Sequence, residues 1–112
     1  MKTTQQGQKA ERAVAELLEQ NGLEVIAKNW RTPKCEIDII AQKTDVIYFV
    51  EVKYRSSESQ GGGFEYITGR KQRQMEFAAQ VWNQQTDWSG DWRLLAAAVS
   101  GEDCQDIQIL EL

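Results

Sequence analysis

The chain has 112 residues, a length that suits one domain with a single hydrophobic core. Hydrophobic residues make up 41% of the chain, and the formal net charge of −4 argues against a protein that coats nucleic acid nonspecifically. The sequence contains no histidine, which excludes the usual zinc sites, histidine-based triads and imidazole bases. Any catalysis is therefore expected to depend on carboxylates, lysine and, where one is bound, a metal ion.

The N-terminal residues and the two cysteines predict a cytoplasmic protein that is not bound to a membrane. The start, MKTTQQGQKAER, lacks the apolar segment of a signal peptide. No run approaches the roughly 18 apolar residues that would span a bilayer. Cys35 and Cys104 lie far apart and form no CxxC motif. Free thiols in a reducing compartment are therefore expected.

The first half of the chain predicts one helix followed by three strands. Apolar residues recur at helical spacing over residues 7–21, and Asn21-Gly22 is a typical helix stop. The segment 23–30 predicts a strand, which ends at the turn containing the only proline. Residues 36–41 and 46–53 predict an antiparallel hairpin joined by QKTD. The second strand of this hairpin is apolar on both faces, which is typical of a central strand covered by helices.

The second half predicts a loop, a helix and two strands. Residues 56–63, SSESQGGG, indicate a flexible loop, since no GK[ST] follows to form a phosphate-binding loop. A second helix is expected from an N-cap at Thr68 to about Gln85. Strands are expected over 93–99, which alone would also suit a helix, and over 106–112. The predicted order is α-β-β-β-α-β-β in one domain over residues 1–112.

Four charged residues interrupt the predicted hairpin: Glu36 and Asp38 in its first strand, Glu51 and Lys53 in its second. If QKTD pairs Ala41 with Val46, alternation places all four on one face, with Asp38 and Glu51 as diagonal neighbours. Two carboxylates so placed repel each other unless a divalent cation lies between them. A metal, a water and a lysine would suit phosphodiester hydrolysis. The same spacing is as typical of a structural ion network in which Lys53 pairs with Glu51.

Both helices place polar residues beside their apolar faces. Glu11 lies at the edge of the apolar stripe of the first helix, where it can reach the rim of a site on the sheet. Lys71 and Gln72 continue the core-facing stripe of the second helix at its N-terminal end. For Lys71, the alternative is a frayed first turn with its side chain extended into solvent. Phe77 and Val81 point away from the stripe, which predicts a contact with a second copy of the chain.

The segments GQKAERAVAELLEQNGLEVIAKNWR, EIDIIA, FVEVKYR and ITGRKQR together resemble the YraN-like family of small bacterial proteins. The resemblance covers residues 7–82. That family is regarded as similar to archaeal Holliday-junction resolvases and the PD-(D/E)xK nucleases. The resemblance implies a restriction-endonuclease-like fold, an α/β domain with a central mixed sheet flanked by helices. It also implies a metal-dependent endonuclease that acts on branched DNA.

The family's functional residues map onto specific positions of this chain. The resemblance implies that Asp38 and Glu51 bind Mg²⁺ or Mn²⁺, that Lys53 is the catalytic lysine and that Glu11 is the acid contributed by the helix. Glu36 matches the other acid of the motif, in a supporting role. Further members of the expected site are the Val52 carbonyl as a metal ligand and, as DNA contacts, Arg31, Arg55, Lys71 and Gln72.

Two departures from the family pattern affect the turn and the last strands. Cys35 stands where the family usually has glycine, and RLLAAAVSGEDCQDIQILEL retains only Arg93 of an Arg-Phe-Asp pattern. Three functions follow as hypotheses: a magnesium-dependent endonuclease, a binding module of the same fold that grips nucleic acid or protein without cleaving, and a structural protein with a solvated charge network.

Overall fold

A computed structural model describes residues 4–55 and 63–112 of the chain. The two helices and five strands follow the predicted order. They are α1 (Gln5–Gln20), β1 (Glu24–Arg31), β2 (Glu36–Lys43), β3 (Val46–Arg55), α2 (Gly69–Thr86), β4 (Asp91–Ser100) and β5 (Asp106–Glu111). The predicted loop over 56–63 lies outside the described residues except for Gly63.

The five strands form one sheet in the order β1-β2-β3-β4-β5, in which only β3 and β4 are parallel. The parallel pair follows from the α2 crossover, since parallel neighbours cannot be joined by a short turn. It also decides the ambiguous segment Leu94–Val99, which lies fully buried in β4. This mixed sheet flanked by two helices confirms the predicted fold class and is consistent with a restriction-endonuclease-like fold.

The helices cover opposite faces of the sheet. Val50 packs in the core cluster that contains the apolar residues of α1, whereas Phe49 packs in the cluster that contains those of α2. The Phe49 ring meets Trp82 of α2 edge to face, with centroids 5.5 Å apart. The central position predicted for β3 from its two apolar faces is therefore confirmed.

Threonine side chains cap both helices at their N-termini. The Thr4 hydroxyl accepts a hydrogen bond from Gly7 N–H, and the Thr68 hydroxyl accepts one from Lys71 N–H at 3.1 Å. These bonds satisfy amide groups that a first helical turn leaves without partners. The cap predicted at Thr68 is confirmed, and it fixes the point at which Lys71 leaves the backbone.

The expected register of the β2–β3 hairpin is wrong by two residues. Ala41 pairs with Tyr48 rather than with Val46, and Lys43 pairs with Val46. The turn is shorter than QKTD because Thr44 adopts a left-handed backbone, with φ of 56°, which allows a tight two-residue connection. A shift of two residues keeps the side chains of the paired segments 39–43 and 46–50 on their expected faces, whereas a shift of one would have reversed them.

Both cysteines are free thiols, as predicted. Within the described ranges 4–55 and 63–112, neither helix is long and apolar enough to cross a membrane.

Candidate metal and phosphate site

The candidate site lies where the β2–β3 ladder ends. The last main-chain pair of the ladder is Ile39 with Val50. Beyond it, Val52 N–H donates a hydrogen bond to the Asp38 carboxylate, Oδ2, at 2.8 Å. A side chain has thus replaced the main-chain acceptor that the neighbouring strand would otherwise supply. Since the N–H and C=O of one strand residue point to the same side, the Val52 carbonyl faces the same gap.

Strand β2 also changes its packing at Asp38. Ile39 packs in the core on the α1 side, but Ile37 packs in the core on the α2 side. Residues two apart in a regular strand share a face, so strict alternation fails between these two isoleucines. The assumption of regular alternation through Glu36 and Asp38 is therefore wrong at this point. The irregularity lets groups from both sides of the sheet approach one gap.

A cleft of about 380 Å³ at this gap brings together most of the predicted site. Its lining comes from both helices and from β1, β2 and β3. The predicted residues that line it are Glu11, Arg31, Glu36, Asp38, Glu51, Val52, Lys53 and Lys71.

Two predicted DNA contacts lie elsewhere. Arg55 donates a hydrogen bond to Glu65 at 3.0 Å and forms an ion pair with it, so its guanidinium is directed toward the segment before α2. Gln72 is half-buried on α2 and is not among the residues that line this cleft. The side chain beside it on α2, Lys71, is the one that reaches the site.

Asp38 is the most strongly perturbed carboxyl group of the site. Burial raises its pKa to about 7, and the negative charge of Glu51 adds to this increase. The hydrogen bond from Val52 N–H acts in the opposite direction, because it favours the ionised form. A partly buried carboxylate held beside a second carboxylate is a poor arrangement for stability alone. It is a suitable one for binding a cation.

Glu11 brings a third carboxyl group to the site from α1. Its side chain belongs to a residue only 8% exposed, the one buried charged residue among the described residues. Burial raises its pKa, the nearby Asn29 side chain and Lys28 charge lower it, and the charges of Glu36 and Glu51 raise it further. The expectation that Glu11 reaches the site from the border of the helix agrees with this position.

The two lysines of the site have different environments. Lys71 Nζ lies 3.0 Å from Glu51 Oε2, and both side chains are partly shielded from solvent, at 34% and 19% exposed. Lys53 is exposed and forms no ion pair with any residue of the described ranges. The alternative of a structural network predicted that Lys53 neutralises Glu51. The observed partner of Glu51 is instead Lys71, so the ion pair connects α2 to β3.

Two residues near the site were missed in the sequence. Asn29 lines the cleft with a left-handed backbone, φ 52°, a conformation that asparagine tolerates better than most residues. Tyr66 donates a hydrogen bond to the Ala97 carbonyl at 3.4 Å. Burial and the charges of Glu51 and Asp38 raise the pKa of its phenol, so the hydroxyl stays protonated. Asn29 belongs to a segment that carries the family resemblance but was given no role there, and the apolar periodicity gave no signal for Tyr66.

The oxygen donors of the cleft suit a magnesium ion. Within residues 4–55 and 63–112, no three acidic or cysteine side chains form a ready-made metal cage. Magnesium does not require one, because it usually keeps several waters and binds one or two carboxylates. Asp38, Glu51 and the Val52 carbonyl are oxygen donors at one gap. This donor set fits Mg²⁺ or Mn²⁺.

Comparison with known proteins identifies the family. The model of "Uncharacterised protein family UPF0102" matches residues 10–100. The chain belongs to the UPF0102 family. This is the YraN family, so the resemblance inferred from the motifs is confirmed.

Relatives in the UPF0102 family match this chain over most of its length. A UPF0102 protein of Pseudomonas fluorescens is 40% identical over 80 residues, which cover 71% of this chain and 67% of the relative. One from Cytophaga hutchinsonii is 34% identical over 103 residues, or 92% of this chain and 91% of the relative. A relative from Pseudomonas putida is 40% identical, and the match covers 66% of its length.

The raised pKa of Asp38 predicts how stability depends on pH in the metal-free protein. Between pH 3.8, the ordinary pKa, and about 7, the folded protein holds a proton that the unfolded chain has released. The free energy of unfolding should therefore fall as pH rises through this range, by at most about 1.4 kcal/mol per pH unit from this group. Asp38→Asn should flatten the fall, as measured by urea unfolding in EDTA at several pH values.

The matched control for this experiment is Asp45→Asn, which changes an exposed aspartate in the hairpin turn. In this variant the free energy of unfolding should still fall as pH rises, as it does in the wild type. An Asp38→Asn protein whose stability depends on pH as the wild type does would contradict the proposed charge crowding.

The two lysines predict different effects on metal-free stability. Lys71→Met removes the partner of Glu51 and leaves that carboxylate beside Asp38, so it should lower the melting temperature in EDTA. Lys53→Met removes an exposed charge and should change the melting temperature little. Thermal melts of the two variants in EDTA check this assignment. A larger decrease in melting temperature for Lys53→Met than for Lys71→Met would show that Lys53, and not Lys71, is the partner of Glu51.

Proposed function

We propose that this protein is a metal-dependent DNA endonuclease that hydrolyses phosphodiester bonds. The observation that carries the proposal is the Asp38 carboxylate, held by Val52 N–H in one cleft with Glu51, Glu11 and two lysines. Carboxylates supply ligands for a divalent cation, and ammonium groups attract and orient phosphate. A cleft that offers both kinds of group suits a phosphodiester substrate better than a cleft with only anionic or only cationic side chains.

The residues of the cleft have distinct roles in this proposal. Asp38, Glu51 and the Val52 carbonyl would hold Mg²⁺ or Mn²⁺, with Glu11 close to the same ion directly or through water. Such an ion, when bound, lowers the pKa of water and offsets charge on phosphoryl oxygens. The Val52 N–H keeps Asp38 in one orientation, and the burial of Glu11 limits its movement. Preorganised ligands of this kind need no rearrangement as charge develops.

Lys53 would act on the substrate. Its ammonium is exposed beside the carboxylates, where it can orient an attacking water or stabilise the negative charge that builds on the phosphoryl group. Lys71 already neutralises Glu51 at 3.0 Å, and a phosphate could draw it away from that partner. Arg31, exposed at the rim, would contact a neighbouring phosphate. Glu36 would support the arrangement without binding the ion.

The substrate and location follow from the motifs rather than from the cleft alone. The EID and EVK segments are similar to those of PD-(D/E)xK nucleases and of Holliday-junction resolvases, so we propose branched DNA as the substrate. The two free thiols agree with a cytoplasmic protein. A homodimer formed through Val81 of α2 would leave Phe77 free and would let two sites act on two strands of one junction.

A specific observation favours a second function, a nucleic-acid-binding module that does not cleave. The ion pair between Lys71 and Glu51 neutralises one of the proposed metal ligands with a side chain of the protein itself. If no cation displaces Lys71, the cleft would bind phosphate through its basic residues only. The two functions differ in their dependence on divalent metal.

The deciding experiment incubates pure protein with branched, nicked and linear DNA. Magnesium or manganese should support cleavage, whereas calcium should support binding at most, because it polarises the attacking water less. Asp38→Ala and Lys53→Met should abolish cleavage, and Asp45→Asn should not. Cleavage that persists in EDTA or in Asp38→Ala would contradict the metal assignment, and binding without cleavage in any metal would favour the binding module.

A further inference from the structure

A second cleft continues from the candidate site along α2. It has a volume of about 470 Å³ and shares Glu36, Glu51 and Lys71 with the first cleft. Its walls are formed by Lys34, from the turn before β2, and by residues of the first half of α2. The shared residues make the two clefts neighbours, so a chain-like substrate lying in one can extend into the other.

The second cleft carries more positive than negative charge, since four basic side chains and the two carboxylates of Glu36 and Glu51 line it. Arg70 and Arg73 line it on α2 and Lys34 lines it on the opposite side, and all three residues are exposed. None of the three forms an ion pair with another residue of the described ranges 4–55 and 63–112. Lys71 adds a fourth positive charge at the end near the carboxylates. The protein as a whole is acidic, so this concentration of positive charge marks a surface for a polyanion.

The far end of the cleft carries an exposed aromatic ring. Phe77 is 47% exposed, the largest value among the exposed large hydrophobic residues of the described chain. Arg70, Arg73 and Phe77 are spaced at three and four residues, so they lie on one face of α2. This face points away from the core-facing stripe of α2 and is exposed, and the cleft extends from it to Met75 at the edge of the stripe. The basic side chains therefore lead along the helix from the carboxylates to the ring.

From these contacts we infer that the cleft along α2 binds a single-stranded DNA segment next to the scissile phosphate, with one unpaired base stacked on Phe77. The inference rests on the proposed function and defines its substrate more closely. A groove with backbone-tracking cations and an aromatic platform is the usual arrangement for single strands. In an intact duplex, base faces are already stacked and cannot reach the ring.

The spacing along α2 suits a short stretch of nucleotides. Lys71 and Phe77 are six residues apart, which corresponds to about 9 Å along a helix axis. Nucleotides of one stacked strand follow each other at about 3.4 Å, so the ring would meet a base about three nucleotides from the phosphate at Lys71, fewer if the strand is extended. Branched and flapped DNA offers unpaired nucleotides at this distance from the branch point.

The test measures binding of fluorescein-labelled oligothymidine and of a blunt duplex of equal length by anisotropy, in EDTA. Phe77→Leu keeps an apolar side chain but removes the aromatic face, and should weaken single-strand binding about 5- to 100-fold. Phe77→Trp should bind as tightly as the wild type or more tightly. Duplex binding should change less than twofold in both variants. Ile26→Ala, at another exposed hydrophobic residue, should leave both affinities unchanged.

Each remaining outcome decides between the inference and its rivals. A Phe77→Leu variant that binds oligothymidine as tightly as the wild type would overturn the stacking site. If the same variant still cleaves branched DNA, the nuclease proposal stays intact. A wild type that binds neither DNA would overturn both. A wild type that sediments as a dimer and a Phe77→Leu variant that sediments as a monomer would assign the ring to a subunit contact and overturn the stacking site.

Discussion

The hydrogen bond from Val52 N–H to Asp38 is the interaction on which the site depends. It lies just beyond the last main-chain pair of the β2–β3 ladder, Ile39 with Val50, and there a side chain and not the backbone connects the two strands. The bond holds a carboxylate whose pKa burial and Glu51 raise to about 7. Without it, Asp38 would have less reason to remain charged inside the protein. The opening of the ladder also leaves room for Glu11 from one helix and Lys71 from the other.

The site combines charges that a fold selected only for stability would avoid. Four carboxyl groups, those of Glu11, Glu36, Asp38 and Glu51, lie in one cleft, and the ammonium group of Lys71 forms an ion pair with one of them, Glu51. The pair between Lys71 and Glu51 connects α2 to the central strand, and α2 also carries the basic cleft with Phe77. A substrate that draws Lys71 toward a phosphate would thereby free Glu51 for a cation. Metal binding and DNA binding would then favour each other through this one lysine.

Much of the fold could be predicted from the sequence because its signals are local. Threonine caps, the apolar stripes of both helices and the two apolar faces of β3 all act within a few residues. The hairpin register could not be predicted, because it depends on a left-handed backbone at Thr44. Glycine or asparagine at this position would have indicated such a backbone, but threonine does not. Most of the residues predicted for the site line one cleft, but the sequence did not predict which of them form pairs. The partner of Glu51 is set by how α2 docks on the sheet, and Tyr66 and Arg55 are placed by the segment that leads into α2.

The central claim is that the carboxylates around Asp38 form a binding site for a divalent cation. Titrating manganese into the protein and following the free ion by electron paramagnetic resonance measures this directly, without DNA and without catalysis. The wild type should remove manganese from solution with saturable stoichiometry, Asp38→Asn should lose most of this binding, and Asp45→Asn should retain it. A wild type that binds no manganese, or an Asp38→Asn protein that binds it equally well, would contradict the account.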